Sequence, residues 1–223
     1  MLTVFYLKLS GSLRGKMDFS FFRSRVSERT LQEAASFRSE KVRLTRLTGE
    51  ALLGFGLKEL FGLERTEYEI CRNIHGKPYL KEEISCCFNI SHSGDYVVCA
   101  FSDTEVGVDI EKKLNPRMQV ARRFFHPVEL AMLESRSEEQ GERFYDLWTV
   151  KESFLKYTGQ GLSRPLSSFR VDMPKKGEAV LYEGERRLPL FLRECRIEEA
   201  YKCYVCSMQE ATPLLTEISW ENL

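Results

Sequence analysis

The sequence predicts a mixed α+β fold that is pseudo-duplicated, with two similar halves. Segments with apolar residues at three- and four-residue spacing, typical of helices, are followed by short β-branched and aromatic runs, typical of strands. This order occurs twice, once in each half of the 223-residue chain. We therefore expect an N-terminal half, 1–112, and a C-terminal half, 113–223, each with helices packed on a small antiparallel sheet. A cleft between the two halves is the expected place for a ligand.

In the first half, a strand is expected over residues 3–9, followed by a basic and aromatic loop. Two helices follow, over 27–37 and 40–61. In the second of these, the apolar residues that recur at helical spacing are Leu44, Leu47, Ala51, Leu52 and Phe55. Period-two runs separated by Gly, Asp and Ser then predict strands at 67–71, 86–90, 96–101 and 106–111.

The second half repeats this order after Asn115-Pro116. Short helices are expected over 117–125 and 127–133, the latter with proline in its first turn, and a long helix over 142–157. Four strand-like runs follow. They cover residues 168–172, 179–182, 188–195 and 201–208.

Charge and cysteine content restrict the class of protein. The 33 Lys and Arg residues balance 33 Asp and Glu residues, so we expect no general nucleic-acid binding. No apolar stretch approaches 18 residues, which argues against a membrane span. Seven cysteines, an odd number, do not resemble a disulfide framework, and we expect reduced thiols in a cytoplasmic protein. The Cys203-x-x-Cys206 pair has no second pair or nearby His, so we interpret it as packing.

The segment 107–111 is a first candidate for chemistry. Asp109 and Glu111 stand two residues apart at the end of a predicted strand, which places both carboxylates on one face. Two neighbouring hard oxygen donors suit Mg²⁺, which is usually held by one or two carboxylates plus substrate phosphates. The alternative is a solvated strand end.

The long helix of the second half carries a second candidate. Phe144, Trp148, Glu152 and Lys156 fall on one i, i+4 row, so an apolar stripe becomes charged toward the helix end. This pattern is typical of a buried helix that reaches a site. The alternative is an exposed Glu152–Lys156 pair. Beyond the helix, the glycines of 159–166 allow a close approach of the backbone to a ligand.

Several phosphate-seeking groups lie upstream. The run 88–94 is a strand entering a polar turn with Ser91 and His92, and such a turn can hold phosphate. The turn 76–78 carries Lys77, and basic residues gather at the start of the helix over 40–61. These basic residues are Arg38, Lys41, Arg43 and Arg46. A structural histidine and a solvated basic face are the alternatives.

Taken in order, five segments resemble the motifs of the 4′-phosphopantetheinyl transferase family, in particular its monomeric type named for the surfactin-synthetase activator. The segments are Gly76-Lys77-Pro78, 88–94, 107–111, Phe124-Phe125 followed by Glu129, and 148–156 with Gly-Leu-Ser-x-Pro-Leu beyond it. The resemblance extends from about residue 37 to 169. Five motifs in the right order make it specific.

The resemblance implies two similar α+β halves with coenzyme A and Mg²⁺, or Mn²⁺, in the cleft between them. It implies that a serine of an apo acyl or peptidyl carrier protein attacks the phosphorus next to pantetheine and that 3′,5′-ADP leaves. Asp109, Glu111 and Glu152 match the family's metal ligands. His92 and Lys156 match its coenzyme phosphate contacts.

The remaining expected site residues match less directly. Lys77 and Ser91 fall at coenzyme-contact positions. Arg43 fits the register of the basic residues that hold the adenine side, Thr45 replaces an expected cation, and Arg46 lies one position further on. Arg29 is a possible substitute for cations that relatives carry upstream.

The base that takes the serine proton has two candidates. Glu152 is the nearest carboxylate in its motif, oriented by the metal. Glu129, which matches a family position, is the competing base, and its alternative is a surface carboxylate in the first turns of a short helix.

Two other functions remain open at this stage. Asp109-x-Glu111-x-Lys113, with Asp95 or Asp103 upstream, superficially resembles a metal-dependent nuclease, but a nuclease needs a basic surface stripe that balanced charge does not favour. A catalytically silent module that binds coenzyme A or a carrier protein is the other. The transferase accounts for all five segments and implies a monomer with no nucleic-acid or membrane partner.

Overall fold

The computed structural model describes residues 1–9, 19–81, 84–135 and 138–223, without the side chains of Phe19 and Leu162. Part of the expected basic and aromatic loop, 10–18, lies outside the described residues. The helices are α1 (Phe19–Phe22), α2 (Glu28–Ser36), α3 (Glu40–Phe61), α4 (Met118–Phe124), α5 (Pro127–Ser135) and α6 (Gln140–Thr158). The strands are β1 (Leu2–Lys8), β2 (Ile70–Arg72), β3 (Pro78–Leu80), β4 (Cys87–Ser93), β5 (Tyr96–Ser102), β6 (Val106–Lys112), β7 (Arg170–Lys175), β8 (Glu178–Glu183), β9 (Arg186–Arg187), β10 (Phe191–Glu194), β11 (Tyr201–Ser207) and β12 (Leu214–Glu217).

The long helix α3 has the bounds that its periodicity predicts. The hydroxyl of Ser39 accepts the amide of Val42 at its start, and Gly62 ends it in the left-handed region with φ of 69°. Such a glycine is a common helix stop because it has no Cβ. Local capping chemistry therefore defines both ends of this helix.

The expected strand 67–71 is only partly correct. Residues 65–67 form a 3-10 turn, and the strand starts later, as β2, which pairs with the short strand β3 in a separate hairpin. The strands β3, β9 and β12 were not predicted, because two- to four-residue runs give little period-two signal.

Each of the two main sheets contains a strand from the other half of the chain. The first sheet has the order β12-β1-β5-β4 and the second β6-β11-β10-β8-β7, with β9 paired to β8. β12 runs parallel to β1, while the other pairs are antiparallel. The two halves of the chain thus exchange edge strands. The division of the chain into two domains at residue 112 stays a prediction.

The two sheets pack face to face, with helices on their outer faces. One core lies between α3 and the first sheet, and another between α6 and the second sheet. A third core, formed by both sheets, joins the halves. It includes Val4, Val98, Ala100, Val108, Ile110 and Val205. This pseudo-dimeric α+β arrangement brings β4 of the first sheet beside β6 of the second. No helix in the described residues is long and apolar enough to span a membrane.

Candidate active site

Gly107 allows α6 to lie directly on β6. A Cβ atom at this position would stand 2.1 Å from the carbonyl oxygen of Ser153 and 2.3 Å from the amide nitrogen of Tyr157. Because glycine has no Cβ, the helix and strand backbones can approach this closely. The close contact places Glu152 and Lys156 of α6 beside the carboxylates of β6.

Asp109 is a buried carboxylate with one unused oxygen. Its side chain is 6% exposed, and Oδ1 accepts hydrogen bonds from Ser91 Oγ at 3.0 Å and from Lys156 Nζ at 2.7 Å. Oδ2 is buried and has no hydrogen-bond partner among the described residues. Burying a carboxylate oxygen without a partner is unfavourable, so this atom indicates a missing electropositive partner.

Glu111 is held through both of its oxygens. Oε1 accepts the indole N–H of Trp148 at 3.2 Å, and Oε2 accepts the hydroxyl of Ser93 at 2.8 Å. The Trp148 ring is stacked on Phe144, with centroids 6.2 Å apart, which fixes the direction of its N–H. The carboxylate is therefore oriented from both sides.

Glu152 completes a group of three carboxylates. Burial raises its pKa to about 7, and the charges of Asp109 and Glu111 contribute, while Lys156 opposes the shift. A carboxyl with a pKa near neutrality can act as a proton acceptor at working pH. The contributions of Asp109 and Glu111 show that the three carboxylates lie near one another.

These donors fit a hard divalent cation. They are carboxylate oxygens, which Mg²⁺ prefers, and one of them has no partner. Within the described ranges, no three such side chains already converge closely enough to hold a metal ion. Since Mg²⁺ is usually bound by one or two carboxylates plus substrate phosphates, an incomplete protein shell is the expected arrangement.

A cavity of about 300 Å³ opens beside this group. It is lined by the turn 75–78, by Asn89 and Ile90 of β4, and by Glu152, Leu155 and Lys156 of α6. Both halves of the chain thus contribute to it. A larger groove, about 880 Å³, lies around Lys113, Glu142 and Lys202 and contains none of the candidate site residues.

Lys77 lines the cavity, but its ammonium already has partners. It forms an ion pair with Glu105 at 2.6 Å and donates to the carbonyl oxygens of Tyr157 at 2.9 Å and Val106 at 3.3 Å. Asn73 adds a bond to the Gly159 carbonyl oxygen at 3.1 Å. The turn 73–77 therefore fastens the end of α6 to the first half of the chain.

The predicted adenine-side arginines have different surroundings. Arg46 pairs with Glu33 at 2.8 Å and donates to the Thr30 hydroxyl, which joins α3 to α2. Arg43 donates to the Arg38 carbonyl oxygen, and its buried Nε has no partner in the described part of the chain.

Arg72 belongs to the same basic region. Desolvation lowers its pKa, and the charges of Arg46 and Arg29 lower it further. Its Nη1 donates to the carbonyl oxygen of Gly76 at 2.8 Å, in the turn that lines the cavity. Arg72 therefore lies beside that turn, near the arginines and their carboxylate partners Glu33 and Glu50.

Ser91 and His92 differ in exposure. Ser91 is buried and its hydroxyl contacts Asp109 and Lys156, whereas His92 is exposed. Although the residue is exposed, enough protein surrounds the His92 imidazole that desolvation lowers its pKa, and the charge of Lys156 lowers it further. His92 is therefore near enough to Lys156 to sense its charge.

Glu129 lies outside this group, and its interpretation as a surface carboxylate is wrong. It is 1% exposed and forms an ion pair of 2.9 Å with Lys151, both side chains being fully buried. Its two oxygens also accept the amides of Val171 and His126. This carboxylate is occupied in tying α5 to α6 and β7, so the structure does not bring it to the cluster as a base.

Sequence reasoning gave no role to three residues that the structure places here. Ser93 and Trp148 orient Glu111, and Arg72 adds charge beside the cavity. The two-residue spacing of Ser91 and Ser93 along a strand could have indicated the first of these. The Trp148 indole and the Arg72 side chain depend on contacts between distant segments.

The fold and site define a two-halved enzyme with a carboxylate-rich cleft, and comparisons with known proteins identify its class. Residues 105–206 match the family model of the 4′-phosphopantetheinyl transferase superfamily, and residues 15–104 match that of the 4′-phosphopantetheinyl transferase N-terminal region. The chain is 31% identical to 4′-phosphopantetheinyl transferase Sfp of Bacillus subtilis (strain 168) over 204 residues, covering 91% of each chain. It is 32% identical to 4′-phosphopantetheinyl transferase gsp of Aneurinibacillus migulanus, covering 93% of this chain and 86% of that one.

The chain belongs to the 4′-phosphopantetheinyl transferase family. It transfers the 4′-phosphopantetheine arm of coenzyme A to a serine of an apo carrier protein, giving the holo carrier protein and 3′,5′-ADP. The nuclease alternative has no support from these matches. The catalytically silent binding module likewise has no support from these matches.

Proposed function

We propose that Asp109, Glu111 and Glu152 hold a divalent cation, Mg²⁺ or Mn²⁺, and that Glu152 is the base of the transfer reaction. The observation that carries this proposal is the buried, unpartnered Oδ2 of Asp109 within a group of three carboxylates. When bound, the cation would neutralise charge that develops on the phosphates of coenzyme A.

The cavity beside α6 is the proposed place for the phosphates and nucleotide of coenzyme A. Lys156 lines it and can neutralise a phosphate oxygen, because its ammonium is only part-buried. His92, Ser91 and Lys77 are proposed to contact the coenzyme nearby. For the 3′-phosphate side, the basic region around Arg43, Arg46 and Arg72 supplies positive charge.

The chain's own groups supply the proton transfer and part of the charge stabilisation. The carrier serine oxygen forms a bond to the phosphorus next to pantetheine, and the bond from that phosphorus to the oxygen of 3′,5′-ADP breaks. Glu152 takes the serine proton, because it is the carboxylate of α6 that lines the cavity. Lys156 stabilises negative charge on the phosphates from a fixed position.

Intact-protein mass spectrometry of an apo carrier protein incubated with coenzyme A and Mg²⁺ tests these roles. Asp109→Ala and Glu152→Ala should each abolish the mass gain of one phosphopantetheine arm and leave the fold intact by circular dichroism. Asp172→Ala is a matched control, because Asp172 is exposed on β7. Retained transfer in either site variant would remove that residue from the proposed site.

We also propose that the protein works as a cytoplasmic monomer without nucleic-acid or membrane partners. Both halves that line the cavity come from one chain, so no second copy is needed to complete it. All seven cysteines, which lie in the described ranges, carry free thiols, and reduced thiols suit a reducing compartment.

A further inference from the structure

Three polar side chains of β4 connect the first sheet to the second. β4 and β6 are the edge strands of different sheets. Asn89 Oδ1 accepts the amide of Val108 at 3.0 Å, Ser91 Oγ that of Ile110 at 3.3 Å, and Ser93 Oγ that of Lys112 at 3.0 Å. The two-residue period of both strands places these bonds in one row, which we call the β4 ladder.

The two serines of the β4 ladder make a second bond that the asparagine does not. Ser91 Oγ donates to Asp109 Oδ1 at 3.0 Å, and Ser93 Oγ donates to Glu111 Oε2 at 2.8 Å. Each hydroxyl thus accepts the amide that follows a carboxylate residue and donates its own proton to that carboxylate. The accepting bond fixes the direction in which the hydroxyl proton points.

We propose that Ser93 is a positioning residue that presents Glu111 to the cation, an inference that rests on the proposed cation site. If the ladder served only to join the sheets, an acceptor such as the Asn89 side chain would suffice at each position. At position 93 one oxygen atom both accepts the amide of Lys112 and donates to Glu111, whereas an amide side chain accepts and donates through two different atoms. Hydrogen-bond partners of ligating carboxylates typically change metal affinity about 10- to 100-fold when removed.

The contacts of Glu111 make this residue sensitive to the loss of Ser93. Its other described bond comes from Trp148 and reaches only Oε1. Without the hydroxyl, Oε2 loses its fixed direction and the carboxylate can turn about the bond to the indole. Ser93 itself does not line the cavity, so its removal leaves the coenzyme A surface in place.

Binding of Mn²⁺ in the presence of coenzyme A, without carrier protein, tests this role apart from catalysis. Free Mn²⁺ is measured by electron paramagnetic resonance during titration of each protein. Ser93→Ala should weaken Mn²⁺ binding by about tenfold. Ser102→Ala is the matched control, since Ser102 also ends a strand of the first sheet but bonds within its own turn, to Thr104. The control should bind Mn²⁺ like the unchanged protein.

Two further variants keep the test decisive. Ser93→Thr retains the hydroxyl and should retain Mn²⁺ affinity within about twofold. Ser93→Cys replaces the hydroxyl by a weak donor of similar volume and should weaken Mn²⁺ binding. This variant serves as the test if Ser93→Ala fails to fold. Mn²⁺ affinity in Ser93→Ala or Ser93→Cys equal to that of Ser102→Ala would overturn the inference alone. Absence of coenzyme-dependent Mn²⁺ binding by the unchanged protein would overturn the cation site as well.

Discussion

Lys156 and Asp109 form an ion pair of 2.7 Å that joins α6 to β6. The same ammonium donates to Ser91 Oγ at 2.7 Å, on a strand of the other sheet. One cation therefore connects the long helix of the second half to both sheets, at the edge of the cavity. Its side chain is 29% exposed, so it can reach a ligand in the cavity, and its loss would also leave the buried Asp109 carboxylate without its ion-pair partner.

Replacing Lys156 by alanine should raise the KM for coenzyme A by about tenfold or more. A hydrogen bond from a charged group contributes roughly 1.5–3 kcal/mol, and a tenfold change corresponds to about 1.4 kcal/mol. Steady-state kinetics with varied coenzyme A at saturating carrier protein measures this. Lys112→Ala, a half-buried cation at the end of β6 that pairs with Asp95 instead of Asp109, is the control. A change confined to the carrier-protein dependence would show that Lys156 does not bind the coenzyme.

Replacing Gly107 by alanine should destabilise the protein and lower transfer activity together. The added Cβ would meet the α6 backbone at 2.1 Å, and overpacking of this kind costs about 1–3 kcal/mol or more. Urea unfolding measures the change. Gly141→Ala in α6 is the control, because a Cβ there meets nothing within 4 Å. This substitution should leave the stability unchanged or raise it. Equal stability of the two variants would contradict the close contact.

Replacing Glu129 by alanine should destabilise folding by about 3–5 kcal/mol, because the Lys151 charge is then buried without its partner. The double variant Glu129→Leu with Lys151→Met should recover the part of this loss that is due to the unpaired charge, but not the hydrogen bonds to the amides of Val171 and His126, and it should keep transfer activity. Urea unfolding and the carrier mass assay measure the two effects. A stable but inactive double variant would restore Glu129 as a candidate base.

The thiols should differ strongly in their reaction with an alkylating reagent at pH 8. Burial raises the pKa of Cys86 to about 12, so about one molecule in 10,000 carries a thiolate there at pH 8. Since the thiolate is the reactive form, the raised pKa slows alkylation. Cys71 and Cys87 are both half-buried, but burial raises the pKa of the Cys87 thiol, so Cys71 should react first. Peptide mass spectrometry checks the order, and early labelling of Cys86 would contradict its burial.

Much of the fold could be predicted because its signals are local. The bounds of α3 follow from its apolar spacing, Ser39 and Gly62, all within one segment. The exchange of edge strands could not be predicted in this way. β12 has only four residues and is defined by its pairing with β1, at the opposite end of the chain.

The same distinction between local and long-range signals applies to the site. The carboxylates Asp109 and Glu111 share a strand face, which period two reveals directly. Whether Glu129 is a surface carboxylate or a buried partner depends on Lys151 and on the amide of Val171, which approach it only in the folded chain. Contacts between residues that are distant in the sequence produce no pattern in the local spacing of residue types.

A crystal structure of the protein with coenzyme A and Mn²⁺ tests the central claim most directly, through the anomalous scattering of the metal. We expect one Mn²⁺ peak bound by the carboxylates of Asp109, Glu111 and Glu152 and by phosphate oxygens of the coenzyme. A peak bound elsewhere, or coenzyme A bound outside the cavity beside α6, would contradict the account.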